Sequence, residues 1–271
     1  MKRIAFIGGD RRNFELSKMN WTNMAMRAFG FYDNKDSIFN CVNCEYIVFP
    51  IPFSKDGESL YAPLSADRIY FKDIIEKVEN KIVFGGKFVD KASEILSNKR
   101  NRIIDFNKEK NFVVNNTIPT AEGIVKIIIE NTDITIDGSN ITILGHGNVG
   151  KRAAKILCSL GANIFCYDNN KQEVANIENC GYNVLEDLNC NISKMDVIVN
   201  TVPTRIITKD MFRYINKNTL IVDIASMPGG IDYEYAKKNS YKVIHALGLP
   251  GIIAPVTSAI YMKNVIEKYI E

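Results

Sequence analysis

Gly145-His146-Gly147-Asn148-Val149-Gly150 is the most specific chemical pattern in this chain. It follows the apolar run Ile141-Thr142-Ile143-Leu144 and precedes a helical stretch, the setting a dinucleotide-binding Gly-x-Gly-x-x-Gly requires. Gly145 permits the tight turn, Gly147 lets a pyrophosphate approach the backbone, and Gly150 lets the helix pack on the strand. The helix start, with Asn148 as N-cap, offers N–H groups and a positive dipole end to phosphate. The next strand ends in Asp168, 18 residues after Gly150, where a carboxylate accepts hydrogen bonds from ribose hydroxyls. The cofactor implied is NAD or NADP. Asp168 repels a 2′-phosphate and favours NAD, whereas Lys171 is near enough to reach one. His146 reads as a filler inside the loop. Two later loops, with Thr201 and Pro203 and with Ala225 and Pro228, follow strands and complete a cofactor cleft. Gly248 and Pro250 close the set.

A second group points to an anionic small molecule. Gly8-Gly9-Asp10-Arg11-Arg12 and Ile51-Pro52-Phe53-Ser54-Lys55-Asp56-Gly57 both follow strands, and such loops line the ligand crevice of an open parallel sheet. Two arginines at a helix start oppose the helix dipole, which favours an anion-binding role over a solvated pair. Arg12 is the first candidate and Arg11 its substitute. Gly9, Asn116 and Thr120 are further contacts, Thr120 at the start of a helix near Pro119 with Thr117 as N-cap. For a proton acceptor the candidates are Glu122, Asp10 and His245, in that order; the chain has 2 histidines.

These groups need a scaffold of alternating strands and helices. In the first half, strands are expected at 3–7, 46–49, 82–84 and 102–105, with helices at 14–28, 67–78 and 89–96. In the second half, strands are expected at 140–144, 163–167, 197–200, 220–224 and 242–244. Helices are expected there at 149–160, 171–179, 209–214, 233–238 and 256–270. Short apolar strands between helices are the mark of parallel βαβ units. The fold class expected is α/β, two Rossmann-like doubly wound parallel sheets with an interdomain cleft. Residues 1–116 would form a substrate domain and 117–254 a cofactor domain with connecting helix 117–132. Residues 255–271 would form a helix that packs back on the first domain.

The 271 residues suit about two domains. A net charge of +3 is too weak to argue for nucleic acid. No apolar run approaches the roughly 18 residues of a membrane span, and the N-terminus lacks a signal-peptide pattern. A cytoplasmic protein is expected. The six cysteines do not form a secreted framework. Cys41 and Cys44 lack the partners of a zinc site, so they read as buried small residues, and no metal is expected.

The strings Gly8-Gly9-Asp10-Arg11-Arg12, Asn116-Thr117-Ile118-Pro119-Thr120-Ala121-Glu122-Gly123, Ala225-Ser226-Met227-Pro228-Gly229-Gly230 and Gly248-Leu249-Pro250-Gly251-Ile252-Ile253-Ala254-Pro255 resemble the family of dipicolinate synthase A, the dehydrogenase component of dipicolinate synthase. With the glycine loop they span nearly the whole chain. The resemblance implies oxidation of dihydrodipicolinate to dipicolinate during sporulation, with hydride transfer to a nicotinamide, usually NADP. It implies a partner, the flavoprotein-like dipicolinate synthase B, and the mother-cell cytoplasm as location. It also implies the architecture of two-domain 2-hydroxy-acid dehydrogenases. The substrate is then a dianion that Arg12, Thr120 and helix N–H groups would hold. The sequence departs from the family at Val256, where Lys is common, and at Asn148, where Arg is common.

Two other readings stay open. A 2-hydroxy-acid dehydrogenase would use Arg205, yet Leu249-Pro250 stands where its histidine would fall. A cofactor-binding sensor or partner protein without turnover is the other, and a homo-oligomer is compatible with each.

Overall fold

The computed structural model describes residues 1–32 and 37–270, without the side chains of Asn189 and Cys190. The elements run β1 (Lys2–Ile7), α1 (Arg11–Lys18), β2 (Met24–Phe29), β3 (Tyr46–Val48), α2 (Phe71–Ile75), β4 (Ile82–Gly85), α3 (Asp90–Asn98), β5 (Arg102–Asp105) and α4 (Lys110–Asn115). They continue with α5 (Thr117–Asn131), β6 (Asn140–Leu144), α6 (Asn148–Ser159), β7 (Asn163–Tyr167), α7 (Lys171–Asn179), β8 (Asn183–Val184), α8 (Leu188–Asn191), β9 (Val197–Asn200), β10 (Leu220–Asp223), α9 (Tyr233–Lys238), β11 (Val243–His245), α10 (Leu249–Ile253) and α11 (Pro255–Ile266). Two compact units result: Met1–Asn116 with Pro250–Glu271, and Thr117–Leu249.

The first unit holds a parallel five-stranded sheet, order β2-β1-β3-β4-β5. That is the flavodoxin-like order, whose crevice opens at the carboxyl ends of β1 and β3. Strand alternation explains its two apolar layers. Ala5 and Ile7 meet Phe71, Ile74, Ala92 and Leu96 on one face. Ile4 and Phe6 meet Leu16, Phe112, Met262 and Ile266 on the other. The C-terminal helix α11 thus completes the second layer. Glu109 anchors the tail, accepting from Tyr269 Oη at 2.6 Å and Lys268 Nζ at 3.1 Å.

The second unit holds a parallel six-stranded sheet, order β11-β10-β9-β6-β7-β8. Counted from β6, this is the Rossmann order, with its crevice at the ends of β6 and β9. The buried runs Ile141, Ile143 and Leu144 and Val197 to Val199 fit strands covered on both faces.

Several local expectations are corrected. The helix expected over 14–28 is the short α1 followed by strand β2, because Met24 to Phe29 pair with β1 along their whole length. The helix expected over 67–78 shrinks to Phe71–Ile75, since Leu60 N–H donates to Ile69 O and fixes that stretch as extended. Residues 209–214 form only a 3-10 turn, Met211–Arg213. Thr117 is not an N-cap: α5 begins there, directly after Asn116 closes α4. Residues Lys110–Asn131 are, by length and composition, long and apolar enough to cross a membrane. Within the second unit, α5 instead buries Ala121, Gly123, Ile124 and Ile128 and packs on α6.

Met262 is fully buried, so Met262→Ala is expected to lower stability by about 2–5 kcal/mol, read from urea unfolding. The Tyr269 hydrogen bond, with help from Lys268, holds the Glu109 carboxyl below the ordinary range. Its contribution is therefore present above the unfolded value of about 4.3 and lost as pH falls through the lower folded value. Glu109→Gln should lower the urea midpoint at neutral pH, and that difference should shrink as pH falls through the lowered folded value.

Candidate functional site

The glycine loop occupies the turn from β6 into α6. Gly145 has φ +89°, open to glycine at little cost, and a Cβ there would press on Thr201. At Gly150 a Cβ would lie 1.9 Å from Gly145 O, so helix and strand close to a distance only glycine allows. Gly147 differs: nothing lies within 4 Å of a Cβ placed on it, and Gly147 and Asn148 are exposed. Gly147, not Asn148, is the N-cap, and no side chain caps the helix. The first N–H groups of α6 therefore meet open space beside the loop, which fits a pyrophosphate.

Asp168 at the end of β7 holds this loop. Its Oδ2 accepts from His146 N at 2.7 Å and its Oδ1 from Asn170 N at 2.9 Å. Each oxygen keeps a second lone-pair site for a ribose hydroxyl. The His146 side chain is 1% exposed and points into the fold, with Nδ1 3.4 Å from Glu173 Oε2. Burial pushes its pKa below the ordinary histidine range, against the pull of Glu173. Its ring is thus no ligand contact. Glu173 is in turn paired with Lys151 at 2.7 Å. Lys171 is exposed at the start of α7.

The loops after β9 and β10 are joined by a network that sequence motifs do not reveal. Asp223 is fully buried. Its carboxylate accepts from Asn200 Nδ2 at 2.9 Å, Ala225 N at 2.9 Å, Gly230 N at 2.8 Å and the Tyr233 hydroxyl. Burial first, and then this hydrogen bond, raises the Tyr233 pKa above the ordinary tyrosine range. Thr201 Oγ1 donates to Leu144 O and Gly145 O, tying the β9 loop to the glycine loop. Pro203 and Pro228 are exposed and Ala225 is buried. Gly248 has φ +72° with open space around it, whereas Pro250 belongs to α10 and its carbonyl accepts from Ser258 Oγ.

His245 ends β11, in register with Asp223 on β10. Its Nε2 lies 2.9 Å from Ala225 O, and its ring faces Tyr233 with centroids 5.1 Å apart. Glu122 stands on the solvent side of α5 with Lys126 and Glu130, a poor place for a proton acceptor.

In the first unit the arginine pair is corrected. Arg12 is 4% exposed, and Asp10 takes both its Nε and its Nη2, the latter at 2.7 Å. Nη2 also donates to Ile51 O. Asn13 Nδ2 donates to Phe49 O at 3.3 Å, and Gly9 packs so close to Asn13 that a Cβ would collide. Arg12 and Asn13 therefore rivet α1 to the loop after β3. Asp10 caps α1 by accepting from Arg12 N and is saturated, so it is no proton acceptor. Arg11, the substitute candidate, is exposed. Asn116 is half-buried where α4 ends, and Thr120 is half-buried within the first turn of α5.

Cys41 and Cys44 are buried, and burial pushes the Cys41 thiol up to about 12, far from a reactive thiolate. Among the described residues no group of three or more His, Cys, Asp or Glu is placed to hold a metal ion.

Known proteins share both halves of this architecture. Residues 121–271 match the family model "Alanine dehydrogenase/PNT, C-terminal domain", and residues 3–107 match the model of the dipicolinate synthase A N-terminal domain. Dipicolinate synthase A of Bacillus subtilis (strain 168) is 28% identical, with 98% of this chain and 95% of that protein aligned. The crystal structure of dipicolinate synthase A from Bacillus halodurans superposes with a TM-score of 0.88 at 27% identity, covering 99% of this chain and 97% of that one. A transhydrogenase structure from Sinorhizobium meliloti, at 13% identity and a TM-score of 0.69, shares the fold, with 98% of this chain and 92% of that one covered.

The two glycines separate fold from binding. Gly147→Ser should leave the Tm unchanged or slightly raised yet weaken binding of a dinucleotide, read by calorimetric titration with NAD. Gly150→Ala should disrupt the loop and lower both.

Proposed function

We propose a function from one premise: this chain belongs to the alanine dehydrogenase/PNT C-terminal domain family, and it resembles dipicolinate synthase A over 98% of its length. It is an oxidoreductase that converts dihydrodipicolinate to dipicolinate during sporulation. The observation that carries the reading is the glycine loop, whose open Gly147 and uncapped α6 fit a dinucleotide phosphate at the switch point of a Rossmann sheet.

Gly145, Gly147, Asn148, Val149 and Gly150 would hold the pyrophosphate, and Asp168 the adenosine ribose. Thr201, Pro203, Ala225, Pro228 and Gly248 would flank the rest of the cofactor. When bound, the nicotinamide supplies the hydride acceptor. Gain of aromaticity drives the reaction, so the protein's main task is to position the ring and neutralise two carboxylates. Gly9 and Arg11, at the β1 end of the first sheet's crevice, supply a backbone approach and an exposed cation. Arg12 serves by holding that loop in place. Asn116 and Thr120 are further substrate contacts.

The preferred cofactor is NAD. Asp168, at the end of β7, presents a carboxylate where a 2′-phosphate would fall. The partner is the flavoprotein-like dipicolinate synthase B and the location is the mother-cell cytoplasm.

The deciding experiment mixes purified chain, with and without dipicolinate synthase B, with freshly made dihydrodipicolinate and either cofactor. Nicotinamide reduction read by absorbance is expected, with NAD favoured over NADP by at least about tenfold. Asp168→Ser should narrow that ratio. Dinucleotide binding without turnover, even with dipicolinate synthase B present, would instead mark a sensor.

A further inference from the structure

We infer that His245 is the proton acceptor of this reaction, and that Asp223 and Tyr233 are positioning residues that dictate which of its nitrogens accepts. The inference rests on the dehydrogenase reading above and adds the identity and tautomer of the base.

The ring has two nitrogens, and its neighbour distinguishes them. Nε2 lies 2.9 Å from Ala225 O. A backbone carbonyl only accepts hydrogen bonds, so Nε2 carries the ring proton, and Nδ1 of the neutral imidazole is left with its lone pair. The carbonyl that makes this choice is itself fixed, because Ala225 N–H donates to Asp223 Oδ1 at 2.9 Å. The other oxygen, Oδ2, receives the Tyr233 hydroxyl and Gly230 N. Tyr233 then turns its ring to the imidazole, with centroids 5.1 Å apart and 30° between the planes. One hydrogen bond thus fixes the imidazole in its plane while an aromatic face limits its tilt. Both constraints trace back to one carboxylate, whose donors are all neutral groups.

The position in the fold suits the role. Asp168, after β7, marks the adenosine side of the Rossmann crevice, so the nicotinamide extends toward the ends of β9, β10 and β11. His245 ends β11 on that side and is half-buried. The other candidates have surroundings less suited to the role. Asp10 is saturated by Arg12, Glu122 stands on a solvent face, and the His146 ring is buried.

In the oxidation, one ring hydrogen would leave as hydride with its electron pair, for which a bound nicotinamide would supply the acceptor. The neighbouring ring hydrogen leaves as a proton to His245 Nδ1, and the pair from its broken bond closes the last double bond of the aromatic ring. The charge gained by the imidazole leaves with the proton to solvent.

The test joins a spectroscopic readout to kinetics. Long-range proton–nitrogen NMR of the full chain without cofactor reads the tautomer, and the His245 signal is identified by its loss in His245→Asn. The expected state is Nε2–H, shifting toward a mixture of tautomers in Tyr233→Phe. His245→Asn should lower kcat by about 10²–10⁴-fold with NAD affinity retained. Tyr233→Phe should lower kcat by about tenfold with KM for NAD changed less than about twofold. An Nδ1–H tautomer in the unmodified chain, or His245→Asn with unchanged kcat, overturns the acceptor role. A Tyr233→Phe variant with unchanged tautomer and kcat overturns the positioning role. If the unmodified chain binds no dinucleotide, the dehydrogenase reading falls and the acceptor role with it. That failure is distinguishable because the tautomer of the free chain does not depend on it.

Discussion

A carboxylate buried without a cation constrains the carboxyl ends of β9 and β10 in the second sheet. Asp223 is inaccessible to solvent, and its donors are an amide side chain, two backbone N–H groups and a phenol. Leaving such a charge unsatisfied costs several kcal/mol, so the donors must be delivered together or the strand end cannot be buried. They come from three places in the chain: Asn200 on β9, the loop of Ala225 and Gly230, and Tyr233 on α9. The carboxylate therefore accepts one arrangement of those segments and rejects the others. The glycines follow from the same demand. A Cβ on Gly230 would meet Asn200 Nδ2, and Gly229 turns at φ +85° beside the Tyr233 hydroxyl. The loop over residues 225–230 is thus a stretch whose ends are both pinned to one side chain.

The first unit solves a comparable problem with a cation. Arg12 is buried and Asp10 neutralises it, while the same guanidinium reaches Ile51 O and Asn13 reaches Phe49 O. A buried ion pair adds little net stability over an apolar equivalent, but removing one partner leaves a charge that must be resolved. Its effect is geometric. It fixes the two loops of the β1/β3 crevice against each other, and Arg11 remains exposed beside them.

What can be read in the sequence divides along the same line. The glycine loop is legible because a backbone demand selects the residue: Gly145 and Gly150 have no room for a Cβ. Strands such as Asn140–Leu144 and Arg102–Asp105 are legible because local β-branched runs already favour them. Met24-Ala25-Met26-Arg27-Ala28-Phe29 is not, since its residues are mostly good helix formers, and only the six-residue pairing with β1 makes it a strand. Arg12 can be assigned to the right crevice from sequence but not to its tie to the loop after β3, because Ile51 lies 39 residues away. Asp223 is visible only as a loop start, since its four donors converge through tertiary structure.

The helix starts carry the last distinction. Asp10 caps α1, Asn170 caps α7 and Asp232 caps α9, each through its own side chain. The α3 helix lacks a capping side chain but carries Asp90 in its first turn, and α11 begins with Pro255, which has no N–H to satisfy. The α6 helix, like the short α4, has neither a capping side chain nor an acid in its first turn. Capping it would add a few tenths of a kcal/mol of stability, a gain that a single substitution at Gly147 could supply. Yet a Ser or Asp there would fill the open space beside the loop and satisfy the very donors an anion needs. The unfilled cap is therefore stability forgone at the one helix start where the fold, through the Rossmann switch point, directs a phosphate. A net charge of only +3 does not speak against anion binding, since the positive potential an anion needs is local.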